Sequence, residues 1–369
     1  MVIAGGGTGG HLFPGIAIAE EFLRRDPENG ILFIGTDRGL EKKVLDKLGL
    51  PLRTLNVEGI KGRGVVRSAA AFLKIPGSLI ASRRILRAFQ PDIVVGVGGY
   101  ASGPAVLAAR LMGLKTAIAE QNAYPGLTNR ILGLFADGIF LTFSASRRWF
   151  PESRTRITGN PVRTTFLTGA AGGKEDAGLF TLLIFGGSQG AHAINRIVLE
   201  ALDDLAPLKE RLRIVHQTGE RDLESVIGAY RQKGFHAEVS GFIMDMAAAY
   251  RAADLLVCRA GATSIAELTV AGKASILVPL PSAVGNHQTR NAEILADAGA
   301  AVLFAEGDLN GRKLAAAINR LSCDPAAIKK METAAAALGN RRAAVDIVDA
   351  CLELILKNRR PGRSFLTES

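Results

Sequence analysis

The chain predicts an α/β protein of two doubly wound, Rossmann-like parallel-sheet domains facing a cleft. Three observations carry that expectation. A strand–glycine–helix unit occurs twice, about half the chain apart: Val2-Ile3-Ala4 runs into Gly5 to Gly10, and Leu182 to Phe185 runs into Gly186-Gly187-Ser188-Gln189-Gly190. Short, continuous, β-branched runs alternate with amphipathic ones from end to end, the pattern of strands buried on both faces of a parallel sheet. The length of 369 residues exceeds what one core usually organises, so two domains are expected.

Along the chain, the first domain should carry strands at 2–4, 31–34, 93–97, 116–119 and 139–142, the first of them short because so few residues precede Gly5. Helices are expected after the first glycine turn, where Ile16, Ala17, Ala19, Phe22 and Leu23 recur at helical spacing, and at 39–48 and 103–111. Gly159-Asn160-Pro161-Val162 is the expected hinge, because proline forces its predecessor into an extended conformation. The alternation restarts at 180–185 and continues at 213–217, 237–240, 254–258, 275–278 and 301–304. Two closing helices are expected at 324–338 and 341–356, the last packing back on the first domain, with a frayed basic tail from 358. The expected division is 1–160, 161–340 and a returning helix plus tail at 341–369.

Composition narrows the class. No apolar run approaches the roughly 20 residues that span a bilayer, and no basic-then-apolar leader opens the chain, so a cytosolic protein with peripheral membrane contact is expected. Cys258, Cys323 and Cys351 are scattered without zinc or disulfide spacing and read as reduced. The net charge of +10 is one-sided: residues 1–163 hold 22 Lys and Arg against 12 Asp and Glu, and the remainder hold 23 against 23. A basic half beside a neutral one calls for an anionic partner on that side. No nucleic-acid module is visible, which leaves an anionic membrane lipid surface. Residues 64–89 mix Phe72, Leu73, Leu79 and Ile80 with Lys74, Arg83, Arg84 and Arg87. They read either as an interfacial helix or as a surface helix whose apolar face is core, interrupted by Pro76 and Gly77.

The glycine turns carry the chemistry. Gly186, Gly187 and Gly190 allow a sharp turn and close approach of a ligand, and the first amides of the next helix form a site for phosphate, joined by the side chains of Ser188 and Gln189. Gly5 to Gly10 contains G-x-G-x-x-G, with Asp37 closing the next strand, which alone would suggest a dinucleotide enzyme. His11 directly after it, and a third glycine turn at 98–103, argue against that reading.

Nine stretches carry a resemblance: Gly-Gly-Gly-Thr-Gly-Gly-His (5–11), Gly-Gly-Tyr-Ala-Ser-Gly-Pro (98–104), Glu-Gln-Asn (120–122), Gly-Leu-Thr-Asn (126–129), Gly-Asn-Pro-Val-Arg (159–163), Gly-Gly-Ser-Gln-Gly-Ala (186–191), Gly-Phe-Ile-x-x-Met (241–246), Arg-x-Gly-Ala-Thr-x-x-x-Glu (259–267) and His-Gln-x-x-Asn-Ala (287–292). In this order they resemble the MurG family, the GT-B glycosyltransferases of family 28. That family moves GlcNAc from UDP-GlcNAc onto lipid I, an undecaprenyl-pyrophosphate-linked acceptor, to make lipid II of peptidoglycan. The resemblance implies an N-terminal acceptor domain at the cytoplasmic face of the bacterial cell membrane, a C-terminal donor domain, and single-displacement inversion without cofactor.

It also implies roles. Ser188, Gln189 and Gly190 would hold the donor diphosphate; Glu267 would accept the two ribose hydroxyls, with Ala262, Thr263, Ser264, Ile265 and Ala266 beside it; Ile243 would present backbone groups to the uracil edge; Arg163 would lie near the nucleotide and Gln288 at the sugar hydroxyls. Thr8, Gly9 and Gly10 would hold the acceptor, with Asn122 and Asn129 as neutral hydrogen bonders. His11 is the first candidate base for the acceptor hydroxyl, the alternative being that it only bonds the acceptor diphosphate; Glu120 is the second candidate. A metal is not expected, since the chain has no Asp-x-Asp pair and Asp203-Asp204 falls within a helix. Two positions depart from the family, Ala119 where many members carry His and Ala260 where Ser is common. Rival readings are another lipid-directed GT-B enzyme such as a diacylglycerol galactosyltransferase, a UDP-GlcNAc 2-epimerase, a non-catalytic binding module, and a nicotinamide dehydrogenase.

Overall fold

The computed structural model describes residues 1–6, 9–36, 39–56, 64–168, 178–187 and 190–357, without the side chains of 39–40, 64–75 and 284. It divides into two compact units, Met1–Pro161 with the C-terminal stretch from Arg342, and Val162–Arg341.

The first unit runs β1 (Val2–Gly5), α1 (Gly9–Arg25), β2 (Leu32–Thr36), α2 (Gly39–Lys47), β3 (Leu52–Leu55), α3 (Gly64–Phe89), β4 (Ile93–Gly98), α4 (Ser102–Leu111), β5 (Lys115–Glu120), α5 (Leu127–Leu132), β6 (Gly138–Leu141) and β7 (Thr155–Ile157). Its sheet is parallel, in the order β3-β2-β1-β4-β5-β6-β7. Alternate residues of β1 go to opposite faces. Ile3 packs with Leu12 and Ile16 of α1, while Val2 and Ala4 pack with Leu86 of α3 and Val106 of α4. This two-sided burial is why the central strands read as continuous apolar runs. The edge strands β3 and β7, absent from the sequence-based expectation, are largely exposed and therefore lack that signature.

The second unit runs α6 (Thr164–Thr168), β8 (Phe180–Phe185), α7 (His192–Leu205), β9 (Leu212–Gln217), α8 (Leu223–Lys233), β10 (Ala237–Ser240), α9 (Met246–Ala252), β11 (Leu255–Cys258), α10 (Ala262–Ala271), β12 (Ala274–Leu277), α11 (His287–Asp297), β13 (Ala301–Leu303), α12 (Gly311–Ser322) and α13 (Pro325–Leu338). Its parallel sheet has the order β10-β9-β8-β11-β12-β13. In both sheets the winding reverses between two central strands, β1 and β4 in one and β8 and β11 in the other. Ligands of open α/β sheets bind beyond the carboxyl ends of strands at such reversals.

Two helices bear on the sequence reading. α14 (Ala343–Leu356) belongs to the first unit: Ile347, Val348 and Cys351 are buried with Ile16 and Phe22 of α1, and Arg25–Asp349 and Arg156–Glu353 ion pairs of 2.6 Å flank the contact. α3 runs unbroken through Pro76, so the expected interruption is absent. Pro76 and Gly77 are both exposed, a setting in which water can satisfy a carbonyl that loses its helical partner. Leu79 packs against the core and Ile80 is exposed; Phe72, Leu73 and Lys74 lie outside the described side chains. No described helix is long and apolar enough to cross a membrane.

Candidate functional site

In the first unit the two glycine turns at the winding reversal touch. Gly98 and Gly99 have φ of 92° and 80°, a region glycine enters without strain. A Cβ on Gly99 would strike the Gly6 carbonyl oxygen, and one on Gly98 would lie 2.6 Å from Nδ1 of His11. His11, the third residue of α1, therefore packs over the Gly98 backbone at the carboxyl edge of the sheet. Gly9 and Gly10 open the same helix, and Thr8 lies outside the described residues.

Glu120 ends β5 and is 2% exposed. Its Oε1 accepts from the backbone N–H of Asn122 at 2.9 Å and from Asn122 Nδ2 at 3.1 Å, and its Oε2 accepts from the backbone N–H of Gly126 at 3.0 Å and from Asn129 Nδ2 at 2.9 Å. Burial pushes its pKa up, and these four donors pull against it. Both oxygens are turned into the 120–129 segment, so the carboxylate orders the segment that carries Asn122 and Asn129. Asn129 also donates to the Ala119 carbonyl at 3.1 Å, while its buried Oδ1 has no partner among the described residues.

In the second unit the turn after β8 and the start of α10 after β11 flank the reversal. Gly187 and Gly190 have φ of 100° and 73°, and a Cβ on Gly190 would strike the Thr218 carbonyl. Ser188 and Gln189 lie outside the described residues. Gly261 precedes α10, whose Ala262, Ile265 and Ala266 side chains are buried while Thr263 and Ser264 are half-buried. Ile265 and Ala266 are thus core residues, and the Ile265 N–H donates to the Gly261 carbonyl at 2.9 Å. Glu267, one turn further on, is buried and accepts from Arg163 Nη2 at 2.9 Å. Burial pushes the Glu267 carboxyl up and the Arg163 guanidinium pulls it back towards the charged form. Arg163 in turn lies over the Phe166 ring, 5.2 Å from its centroid.

The remaining two expected donor contacts are partly engaged already. The N–H of Ile243 donates to Gln217 Oε1 at 2.8 Å. Gln288 Oε1 accepts from the Leu280 N–H at 3.0 Å.

His192 and His216 each acquire a partner from the fold. His192 Nδ1 lies 3.0 Å from Asp222 Oδ2. Asn195 Nδ2 donates to Asp222 Oδ2 at 2.8 Å and to the Thr218 carbonyl at 2.9 Å, which fixes its Oδ1 as the acceptor 3.0 Å from His216 Nε2. His216 therefore carries its proton on Nε2, and Nδ1 accepts from the Tyr230 hydroxyl at 2.9 Å. Burial lowers the His216 pKa to about 3, so it stays neutral. These partners come from separate elements, and nothing local in the sequence announces them.

Comparison with known proteins follows the same two-part division. The glycosyltransferase family 28 N-terminal domain matches residues 1–141 and the family 28 C-terminal domain matches 181–347. A relative from Syntrophus aciditrophicus, named a UDP-N-acetylglucosamine–N-acetylmuramyl-(pentapeptide) pyrophosphoryl-undecaprenol N-acetylglucosamine transferase, is 62% identical over 355 residues, 96% of this chain and 98% of the relative. The crystal structure of Acinetobacter baumannii MurG has a TM-score of 0.76 and 31% identity, covering 95% of this chain and 98% of that one. A putative UDP-N-acetylglucosamine 2-epimerase from Listeria monocytogenes has a TM-score of 0.70 over 99% of both chains at 16% identity, a likeness of fold alone. The chain belongs to glycosyltransferase family 28.

Proposed function

We propose that this protein transfers GlcNAc from UDP-GlcNAc to the 4-hydroxyl of MurNAc in undecaprenyl-pyrophosphoryl-MurNAc-pentapeptide, inverting the anomeric centre. The observation that carries the reading is the near-full-length identity to a relative named for that transfer. The second unit takes the donor. The turn at 186–190 and the amino end of α7 hold the diphosphate and stabilise the charge that builds on departing UDP. Glu267 accepts the ribose hydroxyls, its ion-pair partner Arg163 pulling the carboxyl towards the charged form against the effect of burial. Gln288 donates to the sugar.

The first unit takes the acceptor. His11 removes the proton from the attacking hydroxyl, and the turns at 5–10 and 98–103 hold the acceptor diphosphate. Glu120, buried and satisfied by its own segment, positions Asn122 and Asn129 in place of acting as a base. Loop amides and helix dipoles carry the leaving-group charge, so chelator is expected to leave turnover unchanged.

The same unit approaches an anionic membrane surface at the cytoplasmic face. α3, α4 and α5 share one side of its sheet, and Ile80, Leu111, Leu127, Ile131 and Leu134 are exposed on and just after them. Arg83, Arg84, Arg87 and Arg110 are exposed on the same helices. Apolar side chains beside arginines fit a headgroup layer.

Incubation with UDP-GlcNAc and a short-chain lipid I analogue, read by mass, tests the reaction. A product heavier than the acceptor by one GlcNAc residue is expected. Release of UDP or 2-epimerised sugar without acceptor glycosylation would favour the epimerase reading.

A further inference from the structure

Gln217 is the last residue of β9 and 1% exposed. Its side-chain amide joins two segments that leave different strands. Nε2 donates to the Gly187 carbonyl at 2.8 Å, in the turn after β8, and Oε1 accepts from the Ile243 N–H at 2.8 Å, in the segment after β10. We propose that Gln217 is a positioning residue of the donor site, one that sets the spacing and orientation between the turn holding the UDP diphosphate and the segment reading its uracil. The inference rests on the donor reading of the second unit given above.

The residue type suits the task. A primary amide donates and accepts from one short, planar end, whereas a carboxylate has no donor and an ammonium no acceptor. The strand beneath is the middle of the three in the order β10-β9-β8, and its end already braces both neighbours. The Thr218 N–H donates to the Ser240 carbonyl at 3.0 Å, the Gly219 N–H to the Gly241 carbonyl at 3.2 Å, and the Thr218 carbonyl is the group on which Gly190 closes. A site held by a strand end is better defined than one held by loops alone. Because the peptide is planar and trans, drawing the Ile243 N–H towards Gln217 turns the Phe242 carbonyl the opposite way. Without the amide each segment keeps its own strand, but their mutual geometry is lost. The loss falls on nucleotide binding, which is common to the ground and transition states, and so on KM for the donor.

The test is steady-state kinetics of the full chain with UDP-GlcNAc and a short-chain lipid-linked acceptor, with UDP titration by calorimetry alongside. Gln217→Met, close in volume and without either hydrogen bond, is expected to raise KM for UDP-GlcNAc and Kd for UDP about ten-fold, leaving kcat and the acceptor KM within about two-fold. Gln217→Glu keeps the acceptor for Ile243 but sets a charged oxygen against the Gly187 carbonyl. Its buried carboxyl takes up a proton as pH falls and then donates as the amide does. The ratio of its donor KM to that of wild type should therefore fall from pH 8 to pH 6, a trend a purely structural lesion does not produce. Unchanged UDP affinity in Gln217→Met, an equal rise in both KM values, or a pH-independent ratio in Gln217→Glu overturns the assignment. If Gln217→Met does not fold, the pH profile of Gln217→Glu decides. A wild-type chain that binds no UDP brings down the donor reading and this inference with it, whereas UDP bound equally by wild type and Gln217→Met brings down only the role of Gln217.

Discussion

Two side chains in the first unit carry opposite commitments. His11 packs half-buried over Gly98 at the carboxyl edge of the sheet, while both oxygens of Glu120 bond its own segment. Removing each should therefore fail differently. His11→Ala is expected to lower kcat by about 10²–10⁴-fold with donor KM within about two-fold, the signature of a lost proton acceptor, in steady-state assays. Glu120→Gln replaces two acceptor oxygens by one, so an NH₂ group must face N–H donors on one side. A loss of about 1–3 kcal/mol in urea unfolding is expected from that mismatch, with a raised KM for the acceptor. A Glu120→Gln chain of wild-type stability and acceptor KM but abolished kcat would return Glu120 to the role of base.

At the level of elements, the helices on the sheet faces set what holds each unit together. α14 buries Ile347, Val348 and Cys351 against α1, at the far end of the sequence from the helix they cover. Ile347→Ala should cost about 2–5 kcal/mol, read as a lower melting temperature. Deleting α14 would strip the same face and is expected to leave an aggregating first unit. The surrounding ion pairs, Arg25–Asp349 and Arg156–Glu353, are exposed and contribute little by comparison.

For the whole molecule, the proposed membrane contact of the first unit rests on the charge asymmetry and on the apolar side chains of the α3–α5 layer. Co-sedimentation with anionic vesicles is expected, weakening as salt shortens the screening length. Leu127→Glu with Ile131→Glu, both exposed and outside the packed core, should reduce binding without changing thermal stability. Retention of full vesicle binding by that double variant would remove α5 from the membrane face.

The sequence by itself determined the class of the fold and the location of its turns. A strand buried on both faces must be apolar throughout, and a tight turn at its end must be glycine, and both requirements are written in consecutive residues. That is why β1, β4, β8 and β11, and the glycines at 5–10, 98–103 and 186–190, were legible. β3 and β7 were not, because an edge strand has no such demand, and Pro76 misled because an exposed helix face tolerates what a buried one does not. Only the tertiary structure decided that Glu120 is enclosed by four donors, that Arg163 meets Glu267 across 104 residues, and that Gln217 ties Gly187 to Ile243. Hydrogen bonds of this kind depend on where the sheet brings separate strand ends together, and register between distant segments leaves no mark on either segment alone.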